Sequence, residues 1–198
     1  MFLQVDALCS SRSDGESDAS RRLKNELLVR MSAVEDGILV LGATNIPWGL
    51  DPAVRRRFER RIFIPLPDES ARRELLRIHL GSTPHTLSES TLQSVARRCD
   101  GLSGADLSVL VRDALMEPVR EMQHASHFRK GKDGNWEPCD AAAKGAKAMT
   151  LLDVPATALR TPLVTASHFE HALRSVRPTV GAEDLRQHEE FSRDFGSA

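Results

Sequence analysis

Ile38-Leu39-Val40-Leu41-Gly42-Ala43-Thr44-Asn45, followed by Pro47-Trp48 and then by Asp51-Pro52-Ala53-Val54-Arg55-Arg56-Arg57-Phe58, is the stretch that decides the fold. The apolar run from Ile38 to Leu41 predicts a strand covered on both faces, the habit of a parallel sheet. Such a strand delivers the polar pair Thr44-Asn45 at its carboxyl end. Ligands of open α/β sheets gather outside that end, so Asn45 is a candidate site residue. Asp51 is a natural N-cap and Pro52 suits the first helical position, so a short helix follows. Arg55, Arg56 and Arg57 fall in its last turn, where the helix dipole favours cations. Guanidinium groups clustered there are candidates for phosphate contact.

Upstream, Met1 to Leu8 reads as a strand, apolar from Phe2 onward. Ser10 to Ser17 is a polar loop. Asp18 can cap a helix to about Met31, with Leu23, Leu27 and Met31 as its buried stripe. Downstream, Arg61 to Ile64 alternates as a last strand, and Pro65-Leu66-Pro67 breaks the chain at a subdomain hinge. The pattern then turns helical. Asp68 opens a helix to Leu80 that Gly81 closes, and Ser88 opens one to about Cys99 that Gly101 closes. Ser103-Gly104-Ala105-Asp106 has capping-box form. The helix it starts buries Leu107, Leu110, Val111, Ala114 and Leu115, and Pro118 is expected to kink it. From Phe128 to Lys147 the periodicity fails and an exposed loop is expected, with short strands at Met149–Val154 and Pro162–Val164. Ser167 caps a helix through Leu173. A last amphipathic helix spans about Ala182 to Phe195, anchored by Leu185, Phe191 and Phe195.

The composition is that of a soluble globular chain: 198 residues, 40% hydrophobic, 28% charged, net charge -1. That balance gives no argument for nucleic acid. No apolar run approaches membrane-spanning length. Cys9, Cys99 and Cys139 are odd in number and far apart, which points to reduced thiols rather than a disulfide frame or a zinc site. The histidines do not converge at metal spacing, so no metal ligand is assigned.

Several separated motifs, in order, carry a family resemblance. Gly42-Ala43-Thr44-Asn45, Leu50-Asp51-Pro52-Ala53-Val54-Arg55-Arg56-Arg57-Phe58 and Gly101-Leu102-Ser103-Gly104-Ala105-Asp106-Leu107 resemble the second half of an AAA ATPase module. Asn45-Ile46-Pro47-Trp48, Arg61-Ile62-Phe63-Ile64-Pro65-Leu66-Pro67, Val111-Arg112-Asp113-Ala114-Leu115-Met116 and Asp194-Phe195-Gly196 sharpen it to the meiotic-clade vacuolar protein sorting ATPases that disassemble ESCRT-III polymers. The resemblance runs from about Asp6 to Gly196 and is weakest across Gly131 to Lys147. The fold it implies is α/β: the C-terminal part of an AAA+ large subdomain with a parallel sheet (1–66), then a helical lid subdomain (67–181) with a small β insertion at about 128–164, then a C-terminal helix (182–198) packing back on the large subdomain.

The resemblance also implies a hexameric ring in the cytoplasm, ATP and Mg²⁺ as cofactors, and a peripheral place at endosomal membranes through partners. Those partners are ESCRT-III subunits and an assembly-promoting cofactor protein at the β insertion. Asn45 would be the sensor that polarises the attacking water. Arg56 and Arg57 would be arginine fingers on a neighbour's ATP, a contribution of about 10³–10⁵ in rate. Gly104 and Ala105 would let a helix N-terminus approach the adenine and ribose. Arg12, Ser13, Asp14, Gly15 and Glu16 would form a pore loop facing substrate.

The chain departs from the family pattern in its first residues. These 198 residues contain no Gly-x-x-x-x-Gly-Lys-Thr/Ser loop. The Asp-Glu pair expected before Asp6 is replaced by Leu3 and Gln4. Leucine cannot coordinate Mg²⁺, and glutamine cannot take a proton from water at neutral pH. The polypeptide by itself is therefore expected not to hydrolyse ATP, as a gene fragment or mis-started frame. The alternative is a degenerate, non-catalytic module that supplies arginine fingers to an intact subunit. Plainer readings compete at each residue: Asn45 as a turn residue, the arginines as a solvated helix end, Ser103 to Asp106 as a cap and nothing more, Trp136 as local packing rather than a partner anchor.

Overall fold

The computed structural model describes residues 2–5, 18–33 and 37–197. The chain forms two compact units, Met1–Ile64 together with Ala182–Ala198, and Pro65–Gly181.

In the first unit, β1 (Phe2–Gln4) pairs in parallel with β2 (Leu41–Ala43). The intervening helix α1 (Asp18–Ser32) makes the crossover that parallel pairing requires. A 3₁₀ turn at Pro47–Gly49 leads to α2 (Pro52–Arg57). Among the described residues its core holds Val5, Leu50 and Val54, with Leu27, Leu28 and Phe58 against them. The expected stripe on α1 is therefore rotated. Leu27 and Leu28 face inward, whereas Leu23 is exposed.

Two strand expectations are corrected. Ile38, Leu39 and Leu41 are exposed: among the described residues β2 pairs with β1 alone, and Phe58 packs at Gly42 without covering these three side chains. Arg61 to Ile64 is not a strand. Among the described residues it joins no ladder, and Ile62 and Ile64 are 81% and 85% exposed. Alternation alone cannot make a strand where no neighbouring strand accepts its amides.

The second unit is built on α3 (Glu69–Leu80), α4 (Glu89–Arg98), α5 (Gly104–His124) and α6 (Ala166–Ser175). Asp68 and Ser88 cap α3 and α4 by accepting from Ala71 N–H and Thr91 N–H. Gly81 (φ 55°) and Gly101 (φ 76°) supply the left-handed residues that stop the chain continuing as helix. Leu76, Leu80, Leu92, Val95, Leu107, Leu110 and Phe169 form one buried cluster across the four helices. The helix α5 continues past the fully buried Pro118 to His124. The cap of α6 is Thr165, not Ser167: its amide donates to His168 Nδ1 at 3.1 Å.

The segment expected to be an exposed loop is a small antiparallel sheet, ordered β4-β3-β5, from β3 (His127–Lys130), β4 (Trp136–Pro138) and β5 (Lys147–Ala148). A tight turn explains it. Gly131 N–H donates to Asn135 O at 2.7 Å, and Gly134 takes φ 81°. Met149–Val154 is no strand. It carries a 3₁₀ turn at Leu151–Asp153, and in Pro162–Val164 a single bridge joins Val164 to His85.

The helix α7 (Ala182–Phe195) belongs to the first unit. His188 sits against the Trp48 ring at 4.9 Å and the Phe63 ring at 5.9 Å. Among the described residues, no helix is long and apolar enough to cross a membrane.

Candidate nucleotide-response site

The sheet brings Asn45 to the position that the sequence assigns it. Because β1 and β2 are parallel, with Gln4 opposite Ala43, their carboxyl ends lie at one edge. Asn45 follows two residues beyond β2 and is exposed. Thr44 Oγ1 accepts from Ile46 N–H at 2.9 Å, which turns the chain toward Pro47 and leaves Asn45 at the apex.

The helix α2 starts as expected, with Asp51 Oδ1 accepting from Ala53 N–H at 2.7 Å. Its three arginines then separate. The Arg55 guanidinium lies 4.4 Å over the Phe195 ring and 5.7 Å from the Phe191 ring. Arg56 and Arg57 are exposed. At the helix end, Phe58 packs onto β2. A Cβ on Gly42 would stand 2.7 Å from Phe58 Cζ and 3.2 Å from Val5 Cγ1. Gly42 is thus the seat of Phe58, and a side chain there would push the arginine helix off the strand.

Gly104 and Ala105 open α5 in the second unit. Ser103 Oγ accepts from Asp106 N–H at 3.2 Å, and Asp106 Oδ2 accepts from Ser103 N–H at 2.9 Å, closing the capping box. Asp106 does more than the sequence suggests. It is 3% exposed, and it also accepts from Thr179 Oγ–H at 2.8 Å and Thr179 N–H at 3.4 Å. Burial alone would raise its carboxyl, but the hydrogen bonds from Ser103 and Thr179 outweigh that and hold it below the ordinary value. Nothing local in Pro178-Thr179 signals this contact across the chain. Arg61, whose bonds join α2 to the end of α7, was equally silent in the sequence.

The fit to a nucleotide differs between the two ends. A Cβ at Gly104 would meet only Leu75 Cδ1 at 3.9 Å, so this unit's own packing leaves the α5 N-terminus open to close approach. The β1 end does not fit Mg²⁺, since Leu3 and Gln4 offer no carboxylate. Among the described residues no group of His, Cys, Asp and Glu could hold a metal ion. Arg12 to Glu16 lie outside the described residues, as does Cys9.

The β insertion carries an open cleft of about 270 Å³ lined by Arg129, Glu137, Pro138, Arg160, Thr161, Pro162 and Leu163. Its walls are tied together. Arg129 Nε donates to Glu137 Oε1 at 2.9 Å, and Arg160 N–H to Trp136 O at 2.9 Å. Lys130 and Lys147 lie 5.4 Å and 5.5 Å from the Trp136 ring.

An α/β edge with a polar strand end and an arginine helix, joined to a four-helix unit with a capped helix N-terminus, defines an AAA+ module with its lid. Models of three domain families match in turn: the ATPase family associated with various cellular activities over residues 1–66, the AAA+ lid domain over 89–131, and the Vps4 C terminal oligomerisation domain over 136–196. The human vacuolar protein sorting-associated protein 4A is 50% identical over 98% of this chain, which covers 47% of that protein. The Dictyostelium discoideum vacuolar protein sorting-associated protein 4 is 45% identical, again over 98% of this chain and 46% of its own length. The chain thus spans about half the length of these relatives. The crystal structure of the FIGL-1 AAA domain superposes with a TM-score of 0.74 at 31% identity, over 99% of this chain and 57% of that one. The chain thus carries an AAA domain with its lid and a Vps4-type C-terminal domain, and over nearly its whole length it is similar to part of the vacuolar protein sorting 4 proteins.

Proposed function

We propose that this chain is the finger-and-lid portion of an ATP-driven AAA assembly that takes apart ESCRT-III polymers in endosomal and vacuolar sorting. The carrying observation is the division of labour on α2: Arg55 is spent on the Phe191 and Phe195 rings, while Arg56 and Arg57 stay exposed. Arg56 and Arg57 reach across a subunit boundary to a neighbour's ATP, where a guanidinium stays charged and can bridge phosphate oxygens. Asn45 orients the attacking water at the strand end. Gly104 and Ala105 take the adenine and ribose face. The β insertion receives an assembly-promoting protein, and the ring is hexameric. The work is done in the cytoplasm, at endosomal membranes reached through partners.

A second reading rests on Leu3 and Gln4. In it the chain hydrolyses nothing itself and lends Arg56 and Arg57 to an intact subunit's site. One experiment serves both. The full chain is mixed with an intact relative's subunit that carries the phosphate loop but has alanine at its own two matching arginines. ATP hydrolysis and release of subunits from pelleted ESCRT-III polymer are then followed. Hydrolysis restored by the chain and lost with Arg56→Ala or Arg57→Ala supports the proposal. No restoration sinks it. Turnover by the chain alone overturns the second reading.

A further inference from the structure

The last turn of α7 and the residues after it close on the arginine helix through two cationic side chains. Arg61 Nη2 donates to Arg55 O at 3.2 Å, a carbonyl in the last turn of α2. Arg61 Nη1 donates to Phe195 O at 2.8 Å, the last residue of α7. One guanidinium thus satisfies orphan carbonyls at the C-terminal ends of two helices, whose partial negative charges would otherwise face each other. Arg61 N–H donates to Ser197 Oγ at 3.1 Å, and Ser197 N–H to Arg61 O at 2.9 Å, so the segment after α7 is stitched to the segment after α2. Arg55 closes the set by lying over Phe195, which itself packs against Phe191 at 5.0 Å.

We propose that this clasp of Arg55 and Arg61 on Phe195 is a positioning device for Arg56 and Arg57, a role resting on the finger reading above. The physical need is plain. A six-residue helix has too few internal bonds to fix its own orientation, and a finger misplaced by about 1 Å can lose about 10²-fold in rate. The N-terminal end of α2 is held by Asp51 and by Val54 in the core. The arginine-bearing end is held by Phe58 on Gly42 and by this clasp. Arg55 supplies the rigid neighbour from which its two exposed sequence neighbours project.

Two measurements test it. In the chain alone, amide hydrogen exchange of residues 54–58 is followed for Phe195→Leu, which keeps an apolar side chain but removes the π face, and for Phe195→Tyr, which keeps it. Phe195→Leu is expected to speed exchange of those amides about 3–10-fold and Phe195→Tyr to leave it near the parent rate. In the mixed assembly described above, Phe195→Leu is expected to lower kcat by about 3–10-fold with KM for ATP unchanged, since ATP is held by the other subunit. Phe195→Tyr retains kcat. If exchange and kcat are unchanged by Phe195→Leu while Arg56→Ala abolishes hydrolysis, the clasp is overturned and the finger reading stands. A rise in KM at constant kcat overturns it too, because the effect would then lie in assembly or ATP binding. If Arg56→Ala and Arg57→Ala change nothing, the finger reading itself fails.

Discussion

Replacing Asp106 by alanine tests how the lid unit is held at the start of α5. Four hydrogen bonds end on this carboxylate, two from Ser103 and two from Thr179, at 2.8–3.4 Å. The hydroxyls can turn to other partners, but the Ser103 and Thr179 amides cannot. Losing half of a capping box costs about 1 kcal/mol. Losing hydrogen bonds to a buried charged acceptor costs about 1.5–3 kcal/mol more. The sum is about 3 kcal/mol, or about 12 °C in Tm at ~4 °C per kcal/mol for a unit of this size. Asp106→Asn keeps one acceptor oxygen and is expected to cost about half as much. The assay is urea unfolding read by Trp136 fluorescence in a Trp48→Phe background, since the chain's two tryptophans fall in different units. The pH dependence follows from the sign of the shift. The folded carboxyl titrates below its ordinary 3.8, so its contribution is complete above that value and is lost as pH falls through the folded value. The gap between parent and Asp106→Asn should therefore be constant from pH 7 to about pH 5 and shrink below about pH 4. A loss under 1 kcal/mol for Asp106→Ala, or a gap that persists undiminished at pH 2, refutes the reasoning.

Gly42→Ala is expected to destabilise the first unit by about 1–3 kcal/mol through overpacking against Phe58, with part of the loss recovered by Phe58→Leu, measured by Trp48 fluorescence during unfolding. Cys99 is fully buried and its thiol is pushed up to about 11 by desolvation. At pH 8 it should resist iodoacetamide in the folded chain while Cys139 is alkylated, as peptide mass spectrometry would show. Glu170→Ala breaks the half-exposed ion pair with Arg98. The same unfolding assay should register less than about 0.5 kcal/mol, since surface pairs contribute little.

Local chemistry made much of this fold readable. The caps at Asp51, Asp68, Ser88 and Ser103 each need one short polar side chain at a helix start, and each is where its residue type puts it. At α6 the residue types Thr165 and Ser167 are equally suitable caps, and the buried His168, which accepts from the Thr165 amide, places the cap at Thr165, two residues before the expected Ser167. The strands were harder. Ile38 to Leu41 has the composition of a covered strand, but cover comes from neighbours that no local pattern reports. The sheet of the insertion was hidden for the opposite reason, since its strands are short and rich in charge, and only the Asp133-Gly134 turn marks them. At the candidate site the exposed arginines and the asparagine were legible as residue types in a motif. What distinguishes Arg55 from Arg56 and Arg57 was not, because it depends on Phe191 and Phe195 far along the chain.

The first unit is discontinuous in sequence: residues 182–198 return to it after the whole lid has been traversed. During synthesis the rings that cover Arg55 and the backbone that pairs with Arg61 emerge only after the lid. Until then the lid can close its own core, while the earlier segment waits with α2 held by Asp51, Val54 and Phe58 but without the clasp on Arg55 and Arg61. Nascent chains arrested before residue 182 should therefore carry a protease-resistant lid and a protease-sensitive segment around Arg55 to Ile64. The order of translation thus makes the arginine helix among the last parts of the molecule to acquire its final orientation.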